Sequence, residues 1–162
     1  MPQSTIIRPM AAANVPACAA ILCSSILGER YGFTVPAIQD RLLSALSAGH
    51  DIMIVAEQQA IVAGFAWIDP KGAFSTAPYL RLIAVDSRLG SAGIGSALLR
   101  EFEARTWPVG RDYCLLVSDF NEKAIRFYAK HGYTKVGVLV DFVRPGINEI
   151  IMSKKRTENE AP

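Results

Sequence analysis

The order of apolar and polar positions predicts a chain in which strands and helices alternate. Short runs dense in apolar residues predict strands at residues 4–8, 51–57, 60–68, 79–85, 114–117, 135–142 and 148–153. Longer segments with helical spacing predict helices at residues 15–27, 36–47 and 97–104, and a further helix that begins after Asn121 and ends at Gly132. This alternation is typical of an α/β fold with one sheet.

Caps and turn residues set the expected boundaries of these elements. Thr34 is expected to cap the helix at 36–47, and Gly49 to stop it. The pair at 58–59 predicts a turn between two strands, residues 71–77 predict a loop, and the Arg-Pro-Gly run at 144–146 predicts the last turn.

A glycine-rich turn follows the predicted strand at 79–85. It reads Val-Asp-Ser-Arg-Leu-Gly-Ser-Ala-Gly-Ile-Gly-Ser and leads into the helix at 97–104. Because Gly90, Gly93 and Gly95 lack Cβ atoms, an anion can approach the backbone amides at the positive end of that helix. The turn lacks the lysine of a Walker loop and the third glycine of a dinucleotide fingerprint. It is therefore either a phosphate-binding loop of another kind or simply a tight turn.

A second block, from Tyr113 to Tyr133, predicts a strand, a short loop and a helix. Asn121 can cap this helix, and Gly132 can end it in a left-handed conformation. One side of the helix carries Ala124, Ile125, Phe127 and Tyr128.

Together, the two blocks resemble the GNAT superfamily of acyl-CoA-dependent N-acetyltransferases. In that family one strand precedes Gln/Arg-x-x-Gly-x-Gly/Ala, and another precedes Asn-x-x-Ala-x-x-Phe-Tyr-x-x-x-Gly-Phe/Tyr. The second pattern is matched position for position by Asn121, Ala124, Phe127, Tyr128, Gly132 and Tyr133. The first is matched less closely, because Gly90 fills the Gln/Arg position and Ser91 a position that is often glycine.

The resemblance implies a GNAT-like acyl-CoA N-acyltransferase fold, a central mixed and mostly antiparallel sheet flanked by helices. It also implies acetyl-CoA as the cofactor and direct attack of an amine on its thioester. Amides of the glycine turn would bind the pyrophosphate, the strand edge at 83–85 would pair with the pantetheine arm, and Asn121 would hydrogen-bond that arm. The implied cofactor-binding residues are Ile83, Ala84, Val85, Gly90, Ser91, Ala92, Gly93, Ile94, Gly95, Ser96, Asn121, Ala124 and Phe127.

Tyr128 is the implied catalytic residue, as the proton donor to the departing thiolate. A phenol with a pKa of about 10 stays protonated at neutral pH. The alternative is a core aromatic on an amphipathic helix. The family often places a base at the positions of Tyr79 or Arg81, but neither residue is a ready base here. Deprotonation of the amine is therefore left to an ordered water, to Asp119 or Glu29, or to bulk solvent.

The resemblance places the acceptor pocket between residues 27–33 and 69–78. The expected substrate contacts are Glu29, Tyr31, Tyr79 and Arg81, and the aromatic side chains of Phe33 and Phe74 are expected to line the pocket. Glu29 would attract an ammonium group, and Arg30 or Arg81 a carboxylate, which suits an amino acid or a similar zwitterion. A solvated surface role is the alternative for Glu29 and Arg30. His50 and His131 are expected to be surface histidines at helix ends.

Composition limits the partners. The chain has 162 residues and a formal net charge of +2, with 17 basic and 15 acidic side chains scattered along it, so we expect no nucleic-acid partner. No apolar run reaches the ~20 residues that cross a bilayer, so we expect no membrane partner. Cys18, Cys23 and Cys114 form no metal spacing and are expected to be reduced, buried thiols. We therefore expect a cytoplasmic protein.

One domain is expected at residues 1–156, followed by a flexible tail at 157–162. The leading functional expectation is acetyl transfer from acetyl-CoA to the primary amine of a small molecule. The alternatives are acetylation of a protein lysine or N-terminus, and a non-catalytic acyl-CoA-binding module. The sparse charge at 136–142 also predicts a homodimer through a late strand, with a core strand as the alternative.

Overall fold

Seven strands form one sheet in the computed structural model, which describes residues 4–89 and 93–158. The strands are β1 (Thr5–Pro9), β2 (Ile52–Gln58), β3 (Ile61–Ala73), β4 (Ala77–Val85), β5 (Asp112–Ser118), β6 (Thr134–Arg144) and β7 (Ile147–Lys155). The α-helices are α1 (Val15–Cys23), α2 (Ile26–Tyr31), α3 (Val35–Ala48), α4 (Ile94–Thr106) and α5 (Glu122–Lys130).

The strand order is β1-β2-β3-β4-β5-β7-β6, and β4 and β5 are the parallel pair among otherwise antiparallel neighbours. A parallel pair needs a crossover, which α4 supplies between β4 and β5. The predicted mixed, mostly antiparallel sheet with flanking helices is confirmed.

Helices cover both faces of the sheet. On one face, α1 and α3 pack their apolar sides against β2 and β3, with Cys18, Leu42 and Phe65 fully buried. On the other face, α4 and α5 pack around Leu98, Phe102 and Tyr128. The sheet therefore lies between two apolar layers, and any gap between its strands opens toward both.

One predicted helix is broken in two. Residues 15–27 were expected to form a single helix, but α1 ends at Cys23 and α2 begins at Ile26. The hydroxyls of Ser24 and Ser25 bond back to carbonyls of α1, and the Ser25 hydroxyl also accepts the Gly28 amide as the N-cap of α2. Two serines that compete for backbone groups thus turn the chain.

Two expected connections are shorter or shifted. Most of residues 71–77, expected as a loop, extends β3 and β4, and the turn between them is confined to residues 74–76. The turn predicted at 58–59 lies one residue later, at Gln59 and Ala60, both with positive φ. Gln58 instead belongs to β2 and donates to the Thr5 hydroxyl at 3.0 Å.

Other local signals are confirmed in part. Gly49 ends α3 in the left-handed conformation, as expected, while Thr34 precedes the helix without a side-chain capping bond. Helix α4 begins at Ile94, three residues before the predicted start. The expected tail at 157–162 stays a prediction, because residues 159–162 lie outside the described part of the chain.

The parallel strands β4 and β5 separate early. Within the described residues they pair at Tyr79 with Cys114 and at Leu80 with Leu115. Beyond Leu80, β4 continues to pair with β3, up to Val85 opposite Gly64, but no strand of residues 4–89 and 93–158 lies beside its other edge. Backbone groups in the middle of the sheet are thus left open to a ligand.

Candidate active site

A cavity of about 280 Å³ lies where β4 and β5 separate. Both strands contribute the residues that follow their last pair, Arg81, Leu82 and Ile83 from β4 and Leu116, Val117 and Ser118 from β5. Helices of both faces close it, with Leu22, Ile38 and Leu42 on one side and Asn121, Ala124 and Tyr128 on the other. The cavity therefore passes through the sheet.

Tyr128 brings a phenol to the cavity wall. The side chain is 8% exposed, and its hydroxyl makes no hydrogen bond with the described residues. Burial raises the pKa of Tyr128, with a smaller contribution from the nearby Tyr79. A protonated donor without a protein partner therefore faces the space where a ligand would lie.

Asn121 caps α5, as predicted. Its Oδ1 accepts the Ala124 amide at 3.2 Å, and its backbone amide donates to Ser118 at 2.9 Å. Its carbonyl accepts from Ile125, so both backbone groups are occupied within the protein. The side-chain amide nitrogen is the group of Asn121 that stays available toward the cavity, which Asn121 lines.

The glycine turn before α4 is described from Gly93 onward, and Gly90, Ser91 and Ala92 lie outside the described residues. Gly93 has a φ of +74°, and a Cβ built on it would meet no atom of the described residues within 4 Å. Ile94 is a core residue, so only its backbone amide can face a ligand. A Cβ on Gly95 would lie 3.4 Å from the Phe127 ring, so that ring packs against the start of α4.

His131 is more than the surface histidine that the sequence predicts. The ring is half-buried, with Nδ1 2.8 Å from the Phe127 carbonyl and Nε2 3.0 Å from the Ser96 hydroxyl. Because a carbonyl only accepts, Nδ1 carries the proton, and in the neutral ring Nε2 accepts from Ser96. The end of α5 is thereby tied to the first turn of α4.

A buried carboxylate that sequence reasoning missed closes one end of the cavity. Glu149 on β7 is 4% exposed and accepts a hydrogen bond from the Tyr31 hydroxyl. Each of its two carboxylate oxygens lies 3.3 Å from the Ser118 hydroxyl oxygen. The Ser118 and Tyr31 hydroxyls are 2.8 Å apart. Burial and the Glu149 carboxylate raise the pKa of Tyr31 to about 12. The available signal was a charged residue at an inward position of an otherwise apolar strand.

Three of the four predicted substrate contacts lie in the cavity wall, and one does not. Tyr31, Tyr79 and Arg81 line the cavity, whereas Glu29 is exposed on α2 and does not. Arg81 pairs with Asp69 at 3.3 Å and with Asp51 at 3.9 Å.

Two further residues expected near the acceptor lie elsewhere. Phe74 is 93% exposed at the tip of the β3–β4 hairpin, so it does not line the pocket. Arg30 stacks on Phe120 instead, 4.3 Å from its ring centroid. Arg41, which the sequence did not single out, lines the cavity and lies 5.7 Å from the Trp67 ring centroid.

Over residues 4–89 and 93–158, no cluster of three or more His, Cys, Asp or Glu side chains could hold a metal ion. Cys18, Cys23 and Cys114 are free thiols, and Cys18 is the buried one, whereas Cys23 and Cys114 were expected to be buried and are only half-buried. None of the helices described is long and apolar enough to cross a membrane.

A family model supplies the deciding comparison. The model of the acetyltransferase (GNAT) domain matches residues 49–135, more than half of the chain. The chain belongs to the GNAT family. It is an acyltransferase, of a fold family that generally uses acetyl-CoA as cosubstrate, and the resemblance predicted from the two sequence blocks is confirmed. No curated protein sequence matches the chain.

Solved GNAT structures share the fold over nearly the whole chain. Ard1 from Thermoplasma volcanium is 24% identical, with a TM-score of 0.79 over 95% of this chain and 99% of its own. Ribosomal-protein-alanine N-acetyltransferase from Brucella melitensis is 20% identical, with a TM-score of 0.72 over 93% and 99%. A protein assigned as a phosphinothricin N-acetyltransferase is 23% identical, with a TM-score of 0.73 over 96% and 100%. At these identities the likeness establishes the fold alone.

The bond from Tyr31 to the buried carboxylate predicts a specific loss of stability. Tyr31→Phe should lower the free energy of unfolding by about 1.5–3 kcal/mol, because a donor to a buried charged group is removed. Tyr79→Phe is the matched control, since the Tyr79 hydroxyl in the same cavity has no hydrogen bond with the described residues. It should change stability by less than about 0.5 kcal/mol. Urea denaturation measures both, and equal losses would contradict the assigned bond.

Proposed function

We propose that this GNAT enzyme transfers the acetyl group of acetyl-CoA to the primary amine of a small molecule. The observation that carries the proposal is the convergence on one cavity of an open strand edge, the Tyr128 phenol and the Asn121 amide. The open edge offers backbone groups to an extended chain of amides, and the phenol offers a proton.

The residues present suit acetyl-CoA. The open edge of β4 at 83–85 would bind the pantetheine arm, together with the Asn121 side-chain amide. Amides from Gly93 to Ser96 at the start of α4 would bind the pyrophosphate, where the helix dipole favours an anion. The residues from Gly90 to Ala92 and the side chains of Ala124 and Phe127 complete the proposed cofactor site. Bound there, acetyl-CoA supplies a thioester that an uncharged amine attacks.

Tyr128 is the proposed acid. Its raised pKa keeps the phenol protonated at neutral pH, so the hydroxyl has a proton to give to the thiolate that leaves. The absence of a protein acceptor among the described residues leaves this proton free for the ligand. This favours an enzyme over a module that only binds acyl-CoA.

The cavity favours a small acceptor. Its volume of about 280 Å³ and its lining by Tyr31, Phe33 and Trp67 suit a compact molecule with an apolar part. Arg41 and Arg81 add guanidinium groups, which would suit an amine that also carries a carboxylate, such as an amino acid. A protein acceptor is the second candidate, because the Brucella relative is named for an alanine of a ribosomal protein.

We also propose a cytoplasmic location and a homodimer. Free thiols in the described residues suit a reducing compartment. Strand β6 is an edge strand whose Val136, Val138, Val140 and Phe142 are 42–71% exposed, so the alternative of a core strand does not fit. An unpaired edge with an apolar face can pair with the same edge of a second copy around a twofold axis.

Replacement of Gly93 tests the pyrophosphate site. Gly93→Ala should weaken CoA binding by at least about tenfold in calorimetric titrations, because its Cβ would point into the space assigned to the phosphates. Gly49→Ala is the matched control, with a φ of +68° and no atom within 4 Å of a Cβ. Both variants should lose similar stability from the left-handed backbone. Equal CoA affinity in the two would refute the site, and Ser96→Ala should matter less than Gly93→Ala.

Tyr128→Phe tests the acid. The substitution keeps the ring and its packing, so CoA affinity should hold while turnover falls by roughly a hundredfold, the lower end of general acid effects for a good leaving group. Tyr133→Phe is the control, because its buried hydroxyl donates to Glu103 at 2.9 Å outside the cavity. That variant should lose stability and keep turnover. Full turnover in Tyr128→Phe, with chemistry rate-limiting, would make the phenol structural.

The dimer is tested at Val140, the most exposed of the large apolar side chains on β6. The unmodified chain should scatter light as a dimer at micromolar concentration, and Val140→Lys as a monomer, because a lysine would be desolvated in the apolar interface. Ile61→Lys is the control, since Ile61 is 63% exposed on β3. A monomeric unmodified chain would exclude the dimer.

A further inference from the structure

Among the described residues, Glu149 differs from the other buried or half-buried carboxylates in having no cationic partner. Within residues 4–89 and 93–158, each of the other buried or half-buried carboxylates has a Lys or Arg nitrogen within 4.0 Å. These paired residues are Asp51, Glu57, Asp69, Asp86, Glu101, Glu103 and Asp112. Glu149 is the most buried acidic residue described, and it takes part in none of these ion pairs.

Glu103 gives the closest internal comparison. Like Glu149, Glu103 accepts a hydrogen bond from a tyrosine hydroxyl, that of Tyr133 at 2.9 Å; Glu103 lies on α4. Unlike Glu149, it is also 2.9 Å from the Lys154 ammonium and does not line the cavity. Of these two tyrosine-bound carboxylates in the described residues, the half-buried Glu103 outside the cavity is paired with a cation, and the buried Glu149 in the cavity wall is not.

The neighbours of Glu149 fill only part of its capacity to accept hydrogen bonds. An ionised carboxylate accepts about four hydrogen bonds, whereas Tyr31 and Ser118 can together supply two protons. The residues directly opposite Glu149 are Ser118 on β5 and Leu139 on β6, and the Leu139 side chain has no donor. Because Glu149 lines the cavity, a ligand bound there could fill the remaining acceptor sites.

A buried charge without a counter-charge is unfavourable, and a cation that enters the cavity would offset that cost. The cation that the acyltransferase must accept is the acceptor itself, because a primary amine is protonated at neutral pH. We propose that Glu149 binds the ammonium group of the acceptor and takes the proton that the nitrogen must lose before it attacks. This inference rests on the proposed acetyl transfer to an amine.

The protons balance in this assignment. The ammonium nitrogen carries three hydrogens, and the amide product carries one. One proton goes to Glu149 and from there to solvent, and the freed lone pair forms the new N–C bond while the C–S bond breaks. The second proton leaves the nitrogen as the amide forms. Tyr128 gives its proton to the sulfur of CoA, so that CoA leaves as the thiol, and the proton from the nitrogen replaces the one that Tyr128 gave.

Glu149→Gln is the central variant. The amide has the same size and keeps an oxygen to accept from Tyr31, and the loss of an unpaired buried charge should leave the melting temperature unchanged or raised. A panel of small primary amines, including 2-phenylethylamine and phenylalanine, is compared with hydroxylamine, which is uncharged at neutral pH. Thiol release from acetyl-CoA is the readout.

Loss of a general base should lower kcat/KM for the charged amines by roughly a hundred- to ten-thousand-fold. Turnover of hydroxylamine should fall by less than about tenfold, because that nitrogen needs neither the counter-charge nor a base before attack. Glu103→Gln, outside the cavity, should lose stability and keep both activities.

The outcomes distinguish failure of the Glu149 assignment from failure of the proposed acetyl transfer to a small amine. Unchanged kcat/KM of Glu149→Gln with charged amines, or an equal loss with hydroxylamine, would overturn the assignment and leave the acetyltransferase proposal intact. An unmodified enzyme that acetylates no member of the panel would contradict the small-amine proposal, and the assignment would fall with it.

Two further measurements, amine binding and the pH dependence of kcat/KM, distinguish the proposed role of Glu149 from a structural one. Calorimetry should detect 2-phenylethylammonium binding to the unmodified protein and at least about tenfold weaker binding to Glu149→Gln. In the variant, kcat/KM should rise tenfold per pH unit, following the free amine, while the unmodified enzyme stays nearly flat around neutrality. The titratable and charged groups that share the cavity with Glu149 are Tyr31, Arg41, Tyr79, Arg81 and Tyr128. Burial raises the pKa of all three tyrosines, so these phenols stay neutral over that range.

Discussion

The early separation of β4 and β5 is the constraint on which the rest of the site depends. In the part of the chain that the structure describes, two residue pairs join these strands, and after Leu80 the backbone groups along one edge of β4 have no strand to bond. Such groups are costly when buried, so they require water or a ligand with amides of its own. Because helices cover both faces of the sheet, the gap becomes a cavity with a polar wall of backbone and apolar walls of side chains.

The elements around the gap follow from it. The break between α1 and α2 turns α2 so that Tyr31 reaches Ser118 at the end of β5 and Glu149 on β7. A continuous helix over residues 15–27 would carry the chain past that point. Gly28 permits the turn, because a Cβ there would lie 2.4 Å from the Cys23 carbonyl oxygen. A helix break that sequence periodicity does not reveal thus supplies one of the cavity walls.

Features that depend on near neighbours in the chain were predictable, and those that depend on distant ones were not. The cap of α5 by Asn121 joins residues three apart, and the left-handed stop at Gly49 is a property of one residue. The Tyr31–Glu149 bond joins residues 118 apart, and no pattern in one sequence pairs them. The family pattern located Tyr128 and not Glu149, because only Tyr128 lies within a contiguous motif. Glu29 was chosen for the role by its charge, and exposure on α2 removes it from the cavity.

Tyr128 and Glu149 make opposite demands on one cavity. In the proposed reaction the phenol must remain protonated until the sulfur leaves, and burial, which raises the pKa of Tyr128, favours this. In the same proposal the Glu149 carboxylate binds a cation, and the desolvation that keeps the phenol protonated makes an unpaired charge unfavourable. Tyr79 is coupled electrostatically to both residues. Burial raises the pKa of Tyr79, and the charge of Glu149 raises it further. Tyr79 in turn contributes to the raised pKa of Tyr128. An acceptor that brings its own positive charge resolves the conflict, since it pairs the carboxylate only while it occupies the cavity. A neutral molecule of the same shape would leave that charge unpaired, so discrimination against it needs no additional contact.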